Sequence, residues 1–380
     1  MRFAPHGGIV AIDLAFAGRN SSVPKLPDRI RPLIADMSPA CFAMLMSTGI
    51  VSIACHLSGL GFLAMPLFWL NLGFYLILWL LTALRLRFYP RQVLSDLNNH
   101  SRGVEFFTMV AGTCILGSQM VILKNAGAWA LGFWVLGITL AVLLIYGVLT
   151  ALIIRADKPG LGEGINGDWL VITVSIQSIS ILICLVVPQF PGHREELLFC
   201  ALCLFLVGAM LSFLVITLIF YRILFFQLEP QAFEPSYWII AGVDAITTFA
   251  GATLVTNSYG SRVLEPILHF LVGCTIFFWA AATWWIPLLI ILLAWRHLIR
   301  RVPLVYAPSY WGMVFPLGMY ATCTLHLAGI IHLAFLIKIA RACLYAALAL
   351  WLLTFLGLLR SLLGSLRPLS CHGESSPRDG

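Results

Sequence analysis

The stretch MVFPLGMY, residues 313–320, lies between YAPSYWG and ATCTLHLAGIIHLAFLI. No Asp, Glu, Lys or Arg interrupts residues 302–337. A hydrocarbon core of about 30 Å takes about 20 apolar residues in a helix, so the run is long enough to cross a bilayer. Pro316 sits inside it, directly after Phe315. Proline removes a backbone donor and costs a helix interior about 3 kcal/mol. Within a membrane that is tolerated only where the freed backbone faces protein or a water-filled cavity.

Working outward, nine further stretches have the same character. The ten predicted spans are 39–58, 64–84, 105–123, 128–153, 169–188, 197–220, 237–257, 268–295, 312–336 and 340–360. The whole chain is 61% hydrophobic and 10% charged. A soluble domain carries about 25% charged residues, so composition excludes that class. With the N-terminus inside, 18 of the 23 lysines and arginines fall on one side. By the positive-inside rule, both termini are expected on the cytoplasmic side of a cell membrane. The net charge of +7 then faces anionic headgroups, and no nucleic-acid partner is expected. Residues 1–37 read as a cytoplasmic segment with a short interfacial helix over DRIRPLIADM (28–37), residues 38–363 as the membrane domain, and residues 364–380 as a disordered cytoplasmic tail.

The odd-numbered spans share a weak repeat. Each opens on an aromatic residue and reaches small or hydroxyl residues one or two turns later: FAMLMSTG from Phe42, FTMVAGTC from Phe107, WLVITVSI from Trp169, WIIAGVDA from Trp238 and FPLGMYAT from Phe315. The even spans, such as LILWLLTAL and LALWLLTFLGLL, are apolar on every face, as lipid-exposed helices are. The pattern predicts an all-α membrane protein of five helical hairpins, each with one inner and one outer helix. Small inner residues either surround a lumen or simply pack helices closely; the pattern allows both.

Chemistry-bearing motifs are sparse. Neither HExxH nor a paired-Asp motif occurs, so no enzyme activity, metal or cofactor is expected. Gly162–Gly167 fits GxGxxG but lacks a preceding strand and reads as a turn. Cys200 and Cys203 have metal spacing, yet no second pair supports them, and they read as buried apolar side chains. His326 and His332 lie six apart, on opposite helix faces, and read as single hydrogen-bonded histidines. Asp244 is the one acid well inside a span. It reads either as a proton-coupling carboxylate or as one near the mouth or paired with a polar neighbour.

Several segments resemble the tellurite-resistance/C4-dicarboxylate transporter family, which includes malate permeases, fungal sulfite exporters and the slow anion channels of plant guard cells. They are SPACFAMLMSTGIVSIA, FFTMVAGTCILGSQ, INGDWLVITVSIQS, EPSYWIIAGVDAI and ATWWIPLLIILLAWRHLIRRVPLVYAPSYWGMVFPLGMY, spread over residues 38–360. The likeness is greatest to the bacterial branch. It implies ten helices as five hairpins around a central pore, a homotrimer, and a phenylalanine plug in the ninth helix. Phe315 matches the plug, with Pro316 turning it toward the axis. Phe42, Phe107, Thr48, Gly49, Thr113 and Ser175 are the further pore-lining candidates. Asp244 stands where the resemblance implies an apolar residue.

The expected function is passive passage of small anions through a Phe-gated pore, the anion being a C4-dicarboxylate, sulfite, tellurite or inorganic ion. A proton-coupled carrier using Asp244 is the alternative. A non-transporting scaffold is the third class, disfavoured because no soluble domain accompanies the membrane part.

Overall fold

A computed structural model describes residues 34–366. Among the described residues, ten helices are long and apolar enough to cross a membrane: α1 (Pro39–Leu57), α2 (Gly61–Phe88), α3 (Arg102–Lys124), α4 (Gly127–Ile154), α5 (Gly167–Gln189), α6 (Pro191–Phe225), α7 (Pro235–Thr256), α8 (Glu265–Ile299), α9 (Pro308–Ile331) and α10 (Phe335–Gly364). The odd helices are 67–94% buried along their apolar windows and the even ones 22–33%, which separates an inner from an outer set.

The inner helices close on themselves. α1 packs on α3, α3 on α5, α5 on α7, α7 on α9, and α9 returns to α1. Each outer helix packs on its own inner partner and on the next inner helix of the ring; α10, for example, bridges α9 and α1. The fold is therefore five hairpins in a ring, with the even helices filling the outer grooves.

Lipid tails are as apolar as leucine, so burial does little to drive helix association inside a bilayer; close packing and interhelical hydrogen bonds must hold the ring together. Ser47 Oγ donates to the Trp311 carbonyl at 2.6 Å, Ser175 Oγ to the Phe107 carbonyl at 2.7 Å and Ser180 Oγ to the Ala201 carbonyl at 2.7 Å. Asn71 Nδ2 donates to Gln119 Oε1 at 2.6 Å between α2 and α3. Such bonds contribute about 0.6–2 kcal/mol each in membranes.

All five inner helices start at the same face. Arg85, Arg87, Arg155, Arg222, Arg296 and Arg360 lie at helix ends or connections on this side. Lys124, Arg194, Arg262, Lys338 and Arg341 lie at the other. We refer to the first as the basic face.

Some sequence expectations are corrected. The expected ninth span, 312–336, ends at Ile331. His332 adopts a left-handed conformation (φ 55°), which ends a helix, and α10 begins at Phe335 instead of 340. His332 is thus a helix cap. α6 and α8 run several residues past their apolar cores at both ends, because polar and aromatic residues continue a helix into the interfacial zone. Cys200 and Cys203 are exposed on α6, not buried. Of the expected interfacial helix 28–37, the described end, Ile34–Ala35, is helical and Ile34 is buried; the rest lies outside the described residues, as does nearly all of the expected tail.

Candidate functional site

The first turns of the inner helices build a mouth at the basic face. Four begin as tight 3-10 turns: Pro39–Phe42, Gly167–Leu170, Pro235–Trp238 and Pro308–Tyr310. Proline at N1 or N2 starts three of them, where its missing N–H costs nothing. Ser38 and Asn166 cap two of them, accepting from Ala40 N at 3.1 Å and Asp168 N at 3.2 Å. The opening turns, with Arg102–Glu105 of α3, touch one another around a closed circle. Gly167 makes this possible, because a Cβ there would run into the backbone of Ser236. Five helix N-termini thus face one mouth, each carrying about half a positive charge.

A small cavity of about 20 Å3 lies just inside. All five inner helices contribute to its walls, so it sits on the ring axis: Ala43 and Met46 from α1, Thr108 from α3, Asp168 from α5, Ile239 from α7, Gly312 and Phe315 from α9. The volume is enough for about one water. Phe315 is 1% exposed and borders it.

Pro316 lies in an unbroken helix, Trp311–Ile331. Its absent N–H leaves the Gly312 carbonyl without its intrahelical donor, and Gly312 is among the cavity's walls. The irregular backbone therefore lies beside protein and cavity, as the bilayer requires. Gly242 of α7 packs against the same point. A Cβ there would stand 2.9 Å from Pro316 Cγ and 3.3 Å from Phe315 Cδ1. Gly242→Ala is expected to cost about 1–3 kcal/mol by overpacking and to displace the Phe315 ring. A fall in the thermal midpoint of the purified protein, together with altered anion flux, is the expected pair of readouts; unchanged values in both would show that the contact is slack.

The other pore-lining candidates lie elsewhere. Phe42 is buried edge-on against Trp79 of α2, with ring centroids 5.8 Å apart. Thr48 Oγ1 accepts from Trp351 Nε1 of α10 at 3.0 Å. Thr113 Oγ1 donates to the Met109 carbonyl at 2.7 Å and lies 3.3 Å from the Tyr75 hydroxyl of α2. Gly49 admits Ile115, Asn71 and Gln119, and Ser175 is tied to the carbonyl of the buried Phe107. These side chains and carbonyls are engaged between helices, and none of the six residues borders the axial cavity.

Asp168 was not among the sequence candidates. It is half-buried, borders the cavity and accepts from Asn166 Nδ2 at 3.0 Å. Glu105, also at the mouth, accepts from Ser38 Oγ and from Ala40 N at 3.3 Å. The signal for Asp168 was present in INGDWL, an acid in the first turn of an inner helix, but a first-turn acid is also ordinary helix chemistry.

Asp244 lies deeper in α7, is 2% exposed, and its Oδ2 has no hydrogen-bond partner among the described residues. Two residues beyond Gly242, it is about 200° round the helix and directed away from α9. His326 is half-buried, its ring 4.8 Å from that of Phe249, and its Nε2 is without a partner among the described residues, in place of the expected hydrogen bond.

Comparison with known proteins agrees with this architecture. Residues 36–359 match the sequence pattern described as voltage-dependent anion channel. An uncharacterized membrane protein of Mycobacterium tuberculosis is 35% identical over 146 residues, covering 38% of this chain and 74% of that protein. Two uncharacterized transporters of Methanocaldococcus jannaschii are 24% identical over 299 residues and 25% over 296, covering 77% and 76% of this chain and 84% and 82% of theirs.

Proposed function

We propose, from the premise that this chain belongs to the voltage-dependent anion channel family of membrane anion transporters and channels, that it passes small anions passively along the ring axis, with Phe315 closing the path. The observation that carries this reading is the axial cavity: five inner helices meet there, their N-termini face it, and a buried phenyl ring borders it. The N-terminal dipoles favour an anion at the mouth. The buried phenyl ring borders the cavity and blocks ions by excluding water from the narrow path. No lysine or arginine lies deep in the inner helices, so binding along the path is weak, which suits conduction. Asp168 opposes an anion at the cavity unless neutralised, and thereby limits flux. Within this reading the basic face is cytoplasmic, the membrane is the bacterial inner membrane, the chain assembles as a homotrimer, and the permeant ion is a C4-dicarboxylate, sulfite, tellurite or inorganic anion.

The test is anion flux into liposomes holding the purified protein, with and without an imposed pH gradient. Passive flux independent of the gradient is expected; flux that requires it would overturn the channel reading.

A proton-coupled carrier is the second reading, and Asp244 favours it: a buried carboxylate with an unpartnered oxygen is costly and is a proton-acceptor candidate. Asp244→Asn separates the two. The channel reading expects less than about a twofold change in flux at any gradient, because the residue lies off the cavity. Loss of gradient-driven uptake with intact passive leak would establish the carrier.

A further inference from the structure

A groove of about 630 Å3 opens on the outer surface at the basic face, far from the ring axis in character. The end of α8, the connection 300–307, the start of α9 and the last turns of α10 enclose it. Its size falls within the range of about 300–1,000 Å3 typical of ligand sites. The walls are aliphatic, with Leu293, Leu298, Leu304 and Leu353 prominent. Leu298 and Leu304 are 76% and 74% exposed. They bracket Arg300 and Arg301 in the segment LIRRVPLV, 298–305. A segment with apolar residues on either side of paired arginines sits at a membrane boundary, leucines toward acyl chains and arginines toward phosphates.

Two basic side chains line the groove itself. Arg360 is exposed and takes part in no ion pair among the described residues. His297 Nδ1 lies 2.8 Å from the Val302 carbonyl. A carbonyl only accepts, so Nδ1 carries the hydrogen. His297 Nε2 is left buried and without a partner among the described residues. In that tautomer Nε2 is an acceptor, open to a headgroup hydroxyl. Among the described residues, no aspartate or glutamate lines the groove. Tyr306, packed within it, adds no negative charge, since burial pushes its hydroxyl up to about 12.

We propose that this groove binds an anionic phospholipid of the leaflet at the basic face, one acyl chain lying along the leucines, the phosphate held by Arg360 and a headgroup hydroxyl donating to His297 Nε2. An aliphatic trough with Arg360 and His297 at the headgroup level complements that molecule and no simple ion. The floor includes Tyr310 and Met313, within five residues of Phe315 on the same helix, and Trp311 Nε1 donates to the Tyr306 hydroxyl at 3.2 Å. Occupancy therefore bears on the helix that carries Phe315. The lipid site rests on membrane embedding alone and stands whether or not Phe315 is a gate.

The experiment is native mass spectrometry of the full-length protein, purified in detergent and titrated with phosphatidylglycerol or phosphatidylcholine of identical acyl chains. The parent is expected to retain phosphatidylglycerol preferentially. Arg360→Ala should lower that retention about fivefold, the worth of one arginine at an anionic surface. Leu353→Trp narrows the trough without changing charge, at a side chain exposed enough to tolerate it, and should lower retention of both lipids. Arg91→Ala, an exposed arginine of the basic face outside the groove, should change nothing. Equal retention of the two lipids by the parent, or equal losses in Arg360→Ala and Arg91→Ala, would overturn the site in favour of diffuse surface attraction. Dissociation of an oligomer by Leu353→Trp with lipid retention intact would overturn it in favour of a second copy covering the groove.

Discussion

Phe315→Ala is expected to raise passive anion flux in liposomes by at least about tenfold, because a dry constriction blocks ions only while the apolar group fills it. The ring borders a cavity that already opens toward the five N-termini, so its removal extends that space inward along the axis. It is also 1% exposed and packs against Gly242 of α7, so truncation costs about 3–5 kcal/mol. Flux must therefore be normalised to folded protein, and Phe315→Leu, which keeps bulk without the ring plane, should fall between parent and Ala. Flux in both variants equal to the parent's would remove Phe315 from the path, and a loss in both would make the ring part of a binding site. In either case the family membership would stand.

Asp96→Ala is expected to lower the thermal midpoint by on the order of 10 °C. Arg85 reaches Asp96 Oδ2 at 2.6 Å with its side chain only 3% exposed. Arg102 reaches the other oxygen at 3.3 Å. The arginines also hold the chain leading into α1, Arg85 Nε donating to the Ala35 carbonyl at 3.1 Å and Arg102 Nη2 to that of Asp36 at 3.3 Å. Asp96 thus clamps the end of α2, the short helix Pro90–Leu97 and the start of α3 around the mouth. Removing it leaves a buried guanidinium without its carboxylate, which costs about 3–5 kcal/mol. Replacing both partners, Arg85→Met with Asp96→Leu, should recover most of the loss, since the desolvation penalty goes with the charges. A thermal midpoint unchanged in Asp96→Ala would show that the pair stores no stability. Failure of the double replacement to recover it would assign the loss to packing instead.

The sequence by itself determined the membrane class, the ten helices and the division into inner and outer sets. These follow from length, hydropathy and small-residue content, which act locally and are imposed by the solvent: a bilayer demands about 20 apolar residues and satisfied backbone groups wherever the helix lies. The odd spans beginning with an aromatic residue are the buried ones, and the evenly apolar ones face outward. Pro316 is an anomaly visible in the sequence, since proline inside a charge-free span needs protein or cavity beside its freed backbone, and Gly312 and Phe315 border a cavity; the gate is a matter for flux measurements. The tertiary structure alone decided which other polar groups approach the axis. Thr48, Thr113 and Ser175 have the composition of pore-lining residues, yet each hydroxyl meets a partner on a neighbouring helix. A hydroxyl serves a lumen and an interhelical bond equally well, and only rotation of the helix about its own axis chooses between them. That rotation is set by contacts far apart in the chain: Gly242 against Pro316, Gly167 against Ser236, Ser47 against Trp311. The same packing brought Asp168 to the cavity and left Asp244 off it, a distinction no local pattern of residues contains.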